Sequence, residues 1–489
     1  MADFTNAIVH LLNILDSLTI CYFFLGNGAY TLLMLGSLGS ILLYNRRLAY
    51  QGLGALSESI TTPPVTVIIP AYNEETVIAE TVRSVLNCRY PGLQVLVVDD
   101  GSADQSIHRL SQAFKLVRFD LIYRANLQTQ PVEAFYVSED FPALTVLQKQ
   151  HGGKSDALNA GINFCRTPYF CNVDADTILE PDALLRLMRP ILQSPLETVA
   201  SAGIVRVLNG CSVRNGLIEA THLPARWIER FQVVEYLRTF LFGRTGWDMI
   251  GGTLIVSGAL AIFQRQIILD AGGFNRETVT EDMEIIVRLH RWARQHHRNI
   301  HMAFTTDPVC WTQCPSTLRM LARQRRRWQL GLCQTLWKNS EMLFSPRHRI
   351  VGFISFPFNL YIEALGAVVE SLGYLSVPVA FLLHLAIPAL YIPLVILSLA
   401  YAAFLSTGAV LLEELTYRRY SSLKELGVLL LAALLENFGY RQLVLLFRVQ
   451  GMGLFLSGFK RWERVIHSAP LSLGEPVLRE AVPRGSADR

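Results

Sequence analysis

Two stretches of this chain run without a charged side chain for longer than soluble folds usually sustain. From Thr19 to Tyr44 there are 26 residues free of Asp, Glu, Lys and Arg, and from Ser371 to Leu412 there are 42. As a helix rising about 1.5 Å per residue, the first run would reach roughly 39 Å, enough for a tilted bilayer crossing. The second is interrupted by Pro378, Pro388 and Pro393 and has the length of two crossings. Arg46 and Arg47 close the first run, Arg347 and Arg349 precede the second, and Arg418 and Arg419 follow it. Basic residues collect on the cytoplasmic side, so the N-terminus is expected outside, residue 46 onward in the cytoplasm, and the second run as a hairpin. Residues 1–18 contain Asp3 and Asp16 but no Lys or Arg, which is not the pattern of a secretory leader.

Residues 350–370 are apolar but hold Pro357, Asn359, Glu363 and Glu370, which suggests a helix in the membrane interface or along a protein-walled path. The segment 423–459, with Glu436, Arg441 and Arg448 inside it, reads either as a second hairpin or as an interfacial, polar-lined segment. The organisation expected is a transmembrane region over 1–50, a cytoplasmic domain over 60–335, interfacial helices over 336–370 and transmembrane or interfacial helices over 371–465. A disordered tail over 470–489 would follow, and it includes a protease-site-like Val482-Pro-Arg-Gly-Ser486.

Between the apolar runs the pattern changes. Val65-Thr-Val-Ile-Ile69, Val95-Leu-Val-Val98 and Tyr169-Phe-Cys-Asn-Val173 have the β-branched and aromatic content of buried strands, and 74–88, 154–165 and 181–193 alternate with them as helices. Such alternation predicts an α/β domain with a mostly parallel sheet covered on both faces. A net charge of +4 with no long basic arm gives no support to nucleic acid as a partner. The eight cysteines lack CxxC spacing and read as reduced, mostly buried thiols.

Polar clusters fall where these strands should end. Pro70-Ala-Tyr72-Asn-Glu74 follows the first strand and Asp99-Asp100-Gly-Ser102 the second, at the edge where open α/β sheets bind ligands. Either cluster alone could equally be a turn. No G-x-G-x-x-G or GxxxxGK[ST] is present, which argues against a dinucleotide-dependent oxidoreductase and against an ATP-driven transporter. Asp174 and Asp176 project to one side of an extended chain, where both could face a divalent cation or merely sit in a solvated turn. Thr280-Glu281-Asp282 opens an amphipathic helix over 282–294. There Asp282 could act as a general base, or the acids could only complement the helix dipole. Gln324-Arg-Arg-Arg-Trp328, on a helix from about Ser316 to Leu332, combines phosphate-binding guanidinium groups with an indole able to stack on a sugar ring. His290, His296, His297 and His301 lack acidic or thiol partners at ligand spacing and read as a solvated face.

Taken in order over residues 60–335, these motifs resemble the processive, membrane-embedded members of glycosyltransferase family 2, the cellulose, chitin, hyaluronan and poly-N-acetylglucosamine synthases. The resemblance implies a GT-A-like domain flanked by transmembrane and interfacial helices, in a multi-pass inner-membrane protein with its catalytic domain in the cytoplasm. It implies Tyr72, Glu74, Asp99, Asp100 and Lys154 at the nucleotide of a UDP-sugar, and Asp174 with Asp176 at donor and a Mg2+ or Mn2+ ion. Asp282 would be the base, Gln324 and Arg327 would face the pyrophosphate, and Trp328, Ser257 and Gly258 would line the acceptor. The product implied is an exported β-linked exopolysaccharide of N-acetylglucosamine or glucose, with an accessory subunit as a further partner. The alternative is transfer of a single sugar to a membrane lipid. After Trp328 there is no counterpart of the gating-loop motif of cellulose synthases, nor a cyclic-dinucleotide-binding appendage, so cellulose is the less favoured product.

Overall fold

The computed structural model describes residues 2–50, 56, 62–120, 123, 125–383, 388–420 and 422–459. The tail expected over 470–489 lies outside them. Strands β1 (Val65–Ala71), β2 (Leu93–Asp99), β3 (Leu116–Phe119), β4 (Val132–Ser138), β5 (Leu144–Lys149) and β6 (Tyr169–Val173) form the first half of the domain. The second half adds β7 (Thr177–Leu179), β8 (Glu197–Val207), β11 (Leu260–Gln264) and β12 (Ile300–Thr312), with β9 (Ser212–Arg214) and β10 (Leu217–Ala220) as a separate hairpin. One sheet runs β3-β4-β5-β2-β1-β6-β11-β8-β12-β7. It is parallel through its centre, β5-β2-β1-β6, and again between β8 and β12, while β11 joins β6 to β8 antiparallel.

Consecutive residues Val67, Ile68 and Ile69 of β1 are all fully buried. Successive side chains point to opposite faces, so both faces of the sheet are covered there, as the unbroken β-branched run predicts. The helix Lys154–Phe164 packs on β1 and β2. A Cβ on Gly161 would lie 2.5 Å from Ile68 Cγ2, so glycine sets how closely this helix rides on the sheet. That approach delivers Lys154, the helix's first residue, to the carboxyl edge of the strands. Seven cysteines are buried and free, as expected, and Cys21 is exposed.

Among the described residues three helices are long and apolar enough to cross a bilayer, Val9–Leu43, Val351–Leu382 and Tyr391–Thr416, and the molecule is a membrane protein. Residues 350–370, read from sequence as a helix in the membrane interface or along a protein-walled path, are continuous from Val351 with the second of these and contain two π-helical turns, Val351–Ser355 and Phe358–Ala364. The ambiguous 423–459 segment is a pair of helices, Leu423–Leu435 and Tyr440–Leu456, bent by 55° at the break between them.

The domain is joined to the apolar helices by buried ion pairs. Arg206 of β8 meets Glu413 at 2.6 Å with both side chains excluded from water, and its guanidinium lies over the Trp311 and Tyr417 rings. Attraction between desolvated charges only roughly repays their lost hydration, whereas a lone buried charge is expensive. Glu413→Ala is therefore expected to destabilise the protein by about 3–5 kcal/mol. The paired change Arg206→Met with Glu413→Leu should recover most of that loss, and thermal unfolding of the purified variants distinguishes the two outcomes.

Candidate functional site

The loops after β1 and β2 are interlocked. Asn73, in a left-handed conformation with φ 55°, donates from its backbone to Ser102 Oγ at 2.9 Å, and its side-chain oxygen accepts from Ala103 N at 2.8 Å. Glu74 N donates to Ser106 Oγ at 2.9 Å. Asp99 is buried, with one oxygen held by Ser102 N at 3.3 Å and the other unpartnered. Burial pushes its carboxyl above the ordinary aspartate value. Tyr72 lies on the His151 ring at 4.3 Å between centroids.

Asp100 is engaged differently. Its carboxylate accepts from Lys149 Nζ at 2.5 Å, Gly152 N at 3.0 Å and Gly153 N at 2.7 Å, with His151 Nδ1 at 2.9 Å. What it holds is therefore the 149–153 loop, which in turn sets the start of the Lys154 helix. Lys149, fully buried, also pairs with Asp156 at 2.8 Å. Sequence reasoning passed over this lysine; the available signal was a single cation ending the apolar strand Leu144–Lys149.

The antiparallel pairing of β11 with β6, Leu260 opposite Val173, lays Ser257-Gly258-Ala259 beside Asn172–Asp174. Asp174 N donates to Ala259 O at 3.1 Å and Asn172 Nδ2 to Gly258 O at 3.1 Å. Lys154 Nζ then bridges Asp174 Oδ1 at 2.6 Å and Glu281 Oε1 at 2.7 Å, with Gly258 O at 3.4 Å. A Cβ on Gly258 would come within 3.3 Å of Asp282 Oδ2, so Asp282 faces the same small space. Its other oxygen accepts from Met283 N at 2.9 Å. Asp176 accepts from Thr312 Oγ1 at 3.3 Å.

Asp174, Glu281 and Asp282 gather around one ammonium, and their titration reflects it. Burial, opposed by Lys154 and reinforced by Asp176, pushes the Asp174 carboxyl up to about 6. Burial and then Glu281 push Asp282 above the ordinary value. Glu281 is held low because Lys154 and Arg327 outweigh its burial. Among the described residues no group of three or more His, Cys, Asp or Glu is arranged to hold a metal ion, so Asp174 and Asp176 offer two protein carboxylates and no more.

The Gln324–Trp328 sequence lies on the helix Leu318–Lys338, capped by Thr317, which accepts from Met320 N at 3.3 Å. Gly331, three residues beyond Trp328, abuts Thr280 so closely that a Cβ would sit 2.1 Å from its hydroxyl. The helix is thereby seated on the Thr280-Glu281-Asp282 turn. Two of its arginines divide the work. Arg325 is tied bidentately to Glu235 at 2.7 and 3.0 Å and lies 4.4 Å over the Trp328 ring, while the charge of Arg327 acts on Glu281 and Asp282. Arg327 Nε and Gln324 Oε1 are buried without a partner, and Trp328 is 37% exposed. Buried polar atoms left in this way are commonly those a ligand or water satisfies.

Arg244 was not foreseen. It ends a π-helical segment, Arg238–Arg244, has an unpartnered buried Nε, and feels the charge of Asp282. The histidine reading needs two corrections: His290 is buried, with Nε2 at 2.9 Å from Thr253 O, because it lies on the inward side of its helix, and His301, on β12, is half-buried with Nε2 3.3 Å from Asp248 Oδ1. His296 and His297 are exposed as expected.

The chain is 24% identical over 267 residues to the poly-beta-1,6-N-acetyl-D-glucosamine synthase of Staphylococcus aureus strain COL, covering 55% of this chain and 54% of that protein. The Staphylococcus epidermidis protein of the same description is 23% identical over 275 residues, 56% of each. The chain thus spans about half the length of the curated relatives it matches. Among solved structures it is similar to the mannosyltransferase PcManGT of Pyrobaculum calidifontis in complex with GDP-Man and Mn2+, with TM-score 0.44 and 20% identity over 85% of this chain and 99% of that one. It is also similar to S. aureus TarS 1–349 in complex with UDP, with TM-score 0.38 and 15% identity over 82% and 94%. Residues 63–331, more than half of the chain, match the family described as glycosyltransferase like family 2, and the chain belongs to that family.

Proposed function

We propose that this protein is an inverting, processive glycosyltransferase that polymerises a UDP-activated hexose, N-acetylglucosamine or glucose, into a β-linked polysaccharide. The observation that carries the reading is the bridge from Lys154 to Asp174 and Glu281 beside Asp282, which supports a base and a cation acting in one small cluster. Asp282, with one oxygen free of backbone contacts, takes the proton of the acceptor hydroxyl. The hydroxyl oxygen bonds to the anomeric carbon as the bond to the diphosphate breaks on the opposite face. Lys154 and Arg327 offset the charge that collects on the departing diphosphate.

Asp174 and Asp176 fit a Mg2+ or Mn2+ ion, since carboxylate oxygens suit hard cations and their mutual repulsion is what such an ion relieves. When bound, it would add positive charge at the leaving group. Asp99, Tyr72 and Glu74 form the nucleotide end, Gln324 contributes beside the pyrophosphate, and Trp328 with Ser257 and Gly258 lines the acceptor.

Basic residues flanking the apolar runs favour a cytoplasmic catalytic domain. A line of polar contacts between the apolar helices supports passage of the product outward: Tyr30 and Arg448 on Glu363, Tyr22 on Glu370 at 2.6 Å, and Ser376 on Asp16 at 2.9 Å. Polar side chains at that depth are costly unless paired and commonly line a pathway. The named activity of the staphylococcal relatives favours N-acetylglucosamine. A second reading, one sugar added to a lipid acceptor, draws support from Arg244, whose unpaired guanidinium beside Asp282 would suit a lipid phosphate.

Product length separates the two readings: polysaccharide forms a high-molecular-weight smear on a gel, whereas single transfer gives one labelled lipid band. Asp282→Asn should lower UDP release by about 10²–10⁴-fold while leaving donor binding in place. Because the Asp282 carboxyl is raised, the base form is lost as pH falls through that raised value. The acid limb of kcat/KM is therefore expected above the ordinary aspartate range, and a limb at or below it would contradict the base assignment. Gly258→Ala places a methyl 3.3 Å from Asp282 Oδ2 and 3.5 Å from Lys154 Nζ, so kcat should fall while thermal unfolding is unchanged.

A further inference from the structure

Away from the reaction site, the far end of the helix Glu281–Gln295 packs against the turn Pro346–His348, immediately before the apolar helix that starts at Val351. Four arginines meet there, Arg291 and Arg294 from the helix and Arg347 and Arg349 from the turn and the residue after it. Arg291 has the exposed Glu341 at 3.6 Å. Among the described residues no carboxylate lies within ion-pair distance of Arg294, Arg347 or Arg349. Burial and then the charge of Arg349 lower the Arg294 guanidinium, the signature of like charges without a counterion.

His348 is enclosed by this group. It is 8% exposed, with Nδ1 3.1 Å from Ser345 Oγ and Nε2 buried without any partner. With Nδ1 accepting from the serine hydroxyl, Nε2 carries the proton and is a donor with nothing to bond. Burial, Arg294 and Arg347 lower the imidazole, so it stands neutral among the guanidinium groups.

The neighbouring surface is apolar. Phe344, Ile350, Phe353 and Ile354 are 52, 41, 49 and 50% exposed, and the last two lie in the first turns of the bilayer-length helix. An anion that satisfies both surfaces has a phosphate attached to hydrocarbon. We propose that Arg294, Arg349 and His348 form a binding site for the phosphate of an anionic phospholipid at the junction of the catalytic domain and the helix Val351–Leu382. Guanidinium groups suit phosphate through paired N–H donors, and the His348 Nε2–H supplies a further one. Such a lipid would anchor to the bilayer surface the same helix that carries Asp282 in its first turn, whatever sugar is transferred.

The test is lipid retention by the full chain, reconstituted in mixed phosphatidylcholine and phosphatidylglycerol and re-extracted in mild detergent. Wild type should retain phosphatidylglycerol in excess of its share of the mixture. Arg294→Gln with Arg349→Gln should reduce that excess by about fivefold per guanidinium removed. Arg109→Gln with Arg118→Gln, exposed positions far from the membrane helices in sequence, should leave it intact, and Arg349→Lys should keep most of it. Equal retention by both double variants would overturn the proposal. So would loss of the bound phosphatidylglycerol to millimolar inorganic phosphate, which would mark a site for a soluble anion.

Discussion

The ammonium of Lys154 is the group around which the site is assembled. It reaches Asp174 at the end of β6 and Glu281 at the head of the helix Glu281–Gln295, two positions brought together only by the fold. Opposite charges about 4 Å apart attract by roughly 4 kcal/mol at the effective dielectric near a protein surface, and like charges repel equally. Without the lysine, Asp174, Asp176, Glu281 and Asp282 would leave a cluster of repelling carboxylates. With it, Glu281 stays ionised while Asp174 and Asp282 are raised. One side chain thereby ties the two halves of the domain together and tunes the carboxylates around it.

That lysine is itself positioned by a chain of contacts running back to the sheet. Gly161 lets the helix approach β1, Asp100 clamps the backbone of Gly152 and Gly153, and Lys149 neutralises Asp100 from beneath. Two buried charges paired so closely are weak net contributors to stability, but removal of either leaves the other stranded. Their consequence is geometric: the loop before Lys154 is tied down at Lys149, Gly152 and Gly153.

Much of this was legible from residue order. The strands around Val65, Val95 and Tyr169 were readable because runs of β-branched residues buried on both faces resemble little else, and the helix 154–165 was readable from the alternation. Asp174, Asp282, Gln324 and Arg327 stood out through type and spacing, and the fold brings Asp174 and Asp282 to one ammonium and Arg327 within electrostatic reach of Asp282. Lys149 did not stand out, because its burial depends on Asp100, 49 positions away, and no local pattern records that pairing. Arg244 was hidden by a π-helical turn, which shifts side chains off the helical period used to assign faces. His290 was misplaced because it was grouped with His296, His297 and His301 rather than read with its own amphipathic helix, where its position faces Thr253.

The same dependence on distant partners explains the bend in the C-terminal helix pair. Glu436, fully buried between Leu435 and the Gly439 turn, binds Ser406 at 2.6 Å, Arg441 at 2.8 Å and Arg238 of the segment that leads to Arg244. Gly439 at φ 94° supplies the left-handed residue that lets the chain restart at a new angle. Just past the break, the Tyr440 hydroxyl donates to Glu235 at 2.7 Å, and Glu235 is the carboxylate that holds Arg325 over the Trp328 ring. A break displaced by one turn would carry Glu436 from both arginines and Tyr440 from Glu235. The angle of these helices and the support under the Gln324–Trp328 helix are therefore set by the same few buried polar contacts.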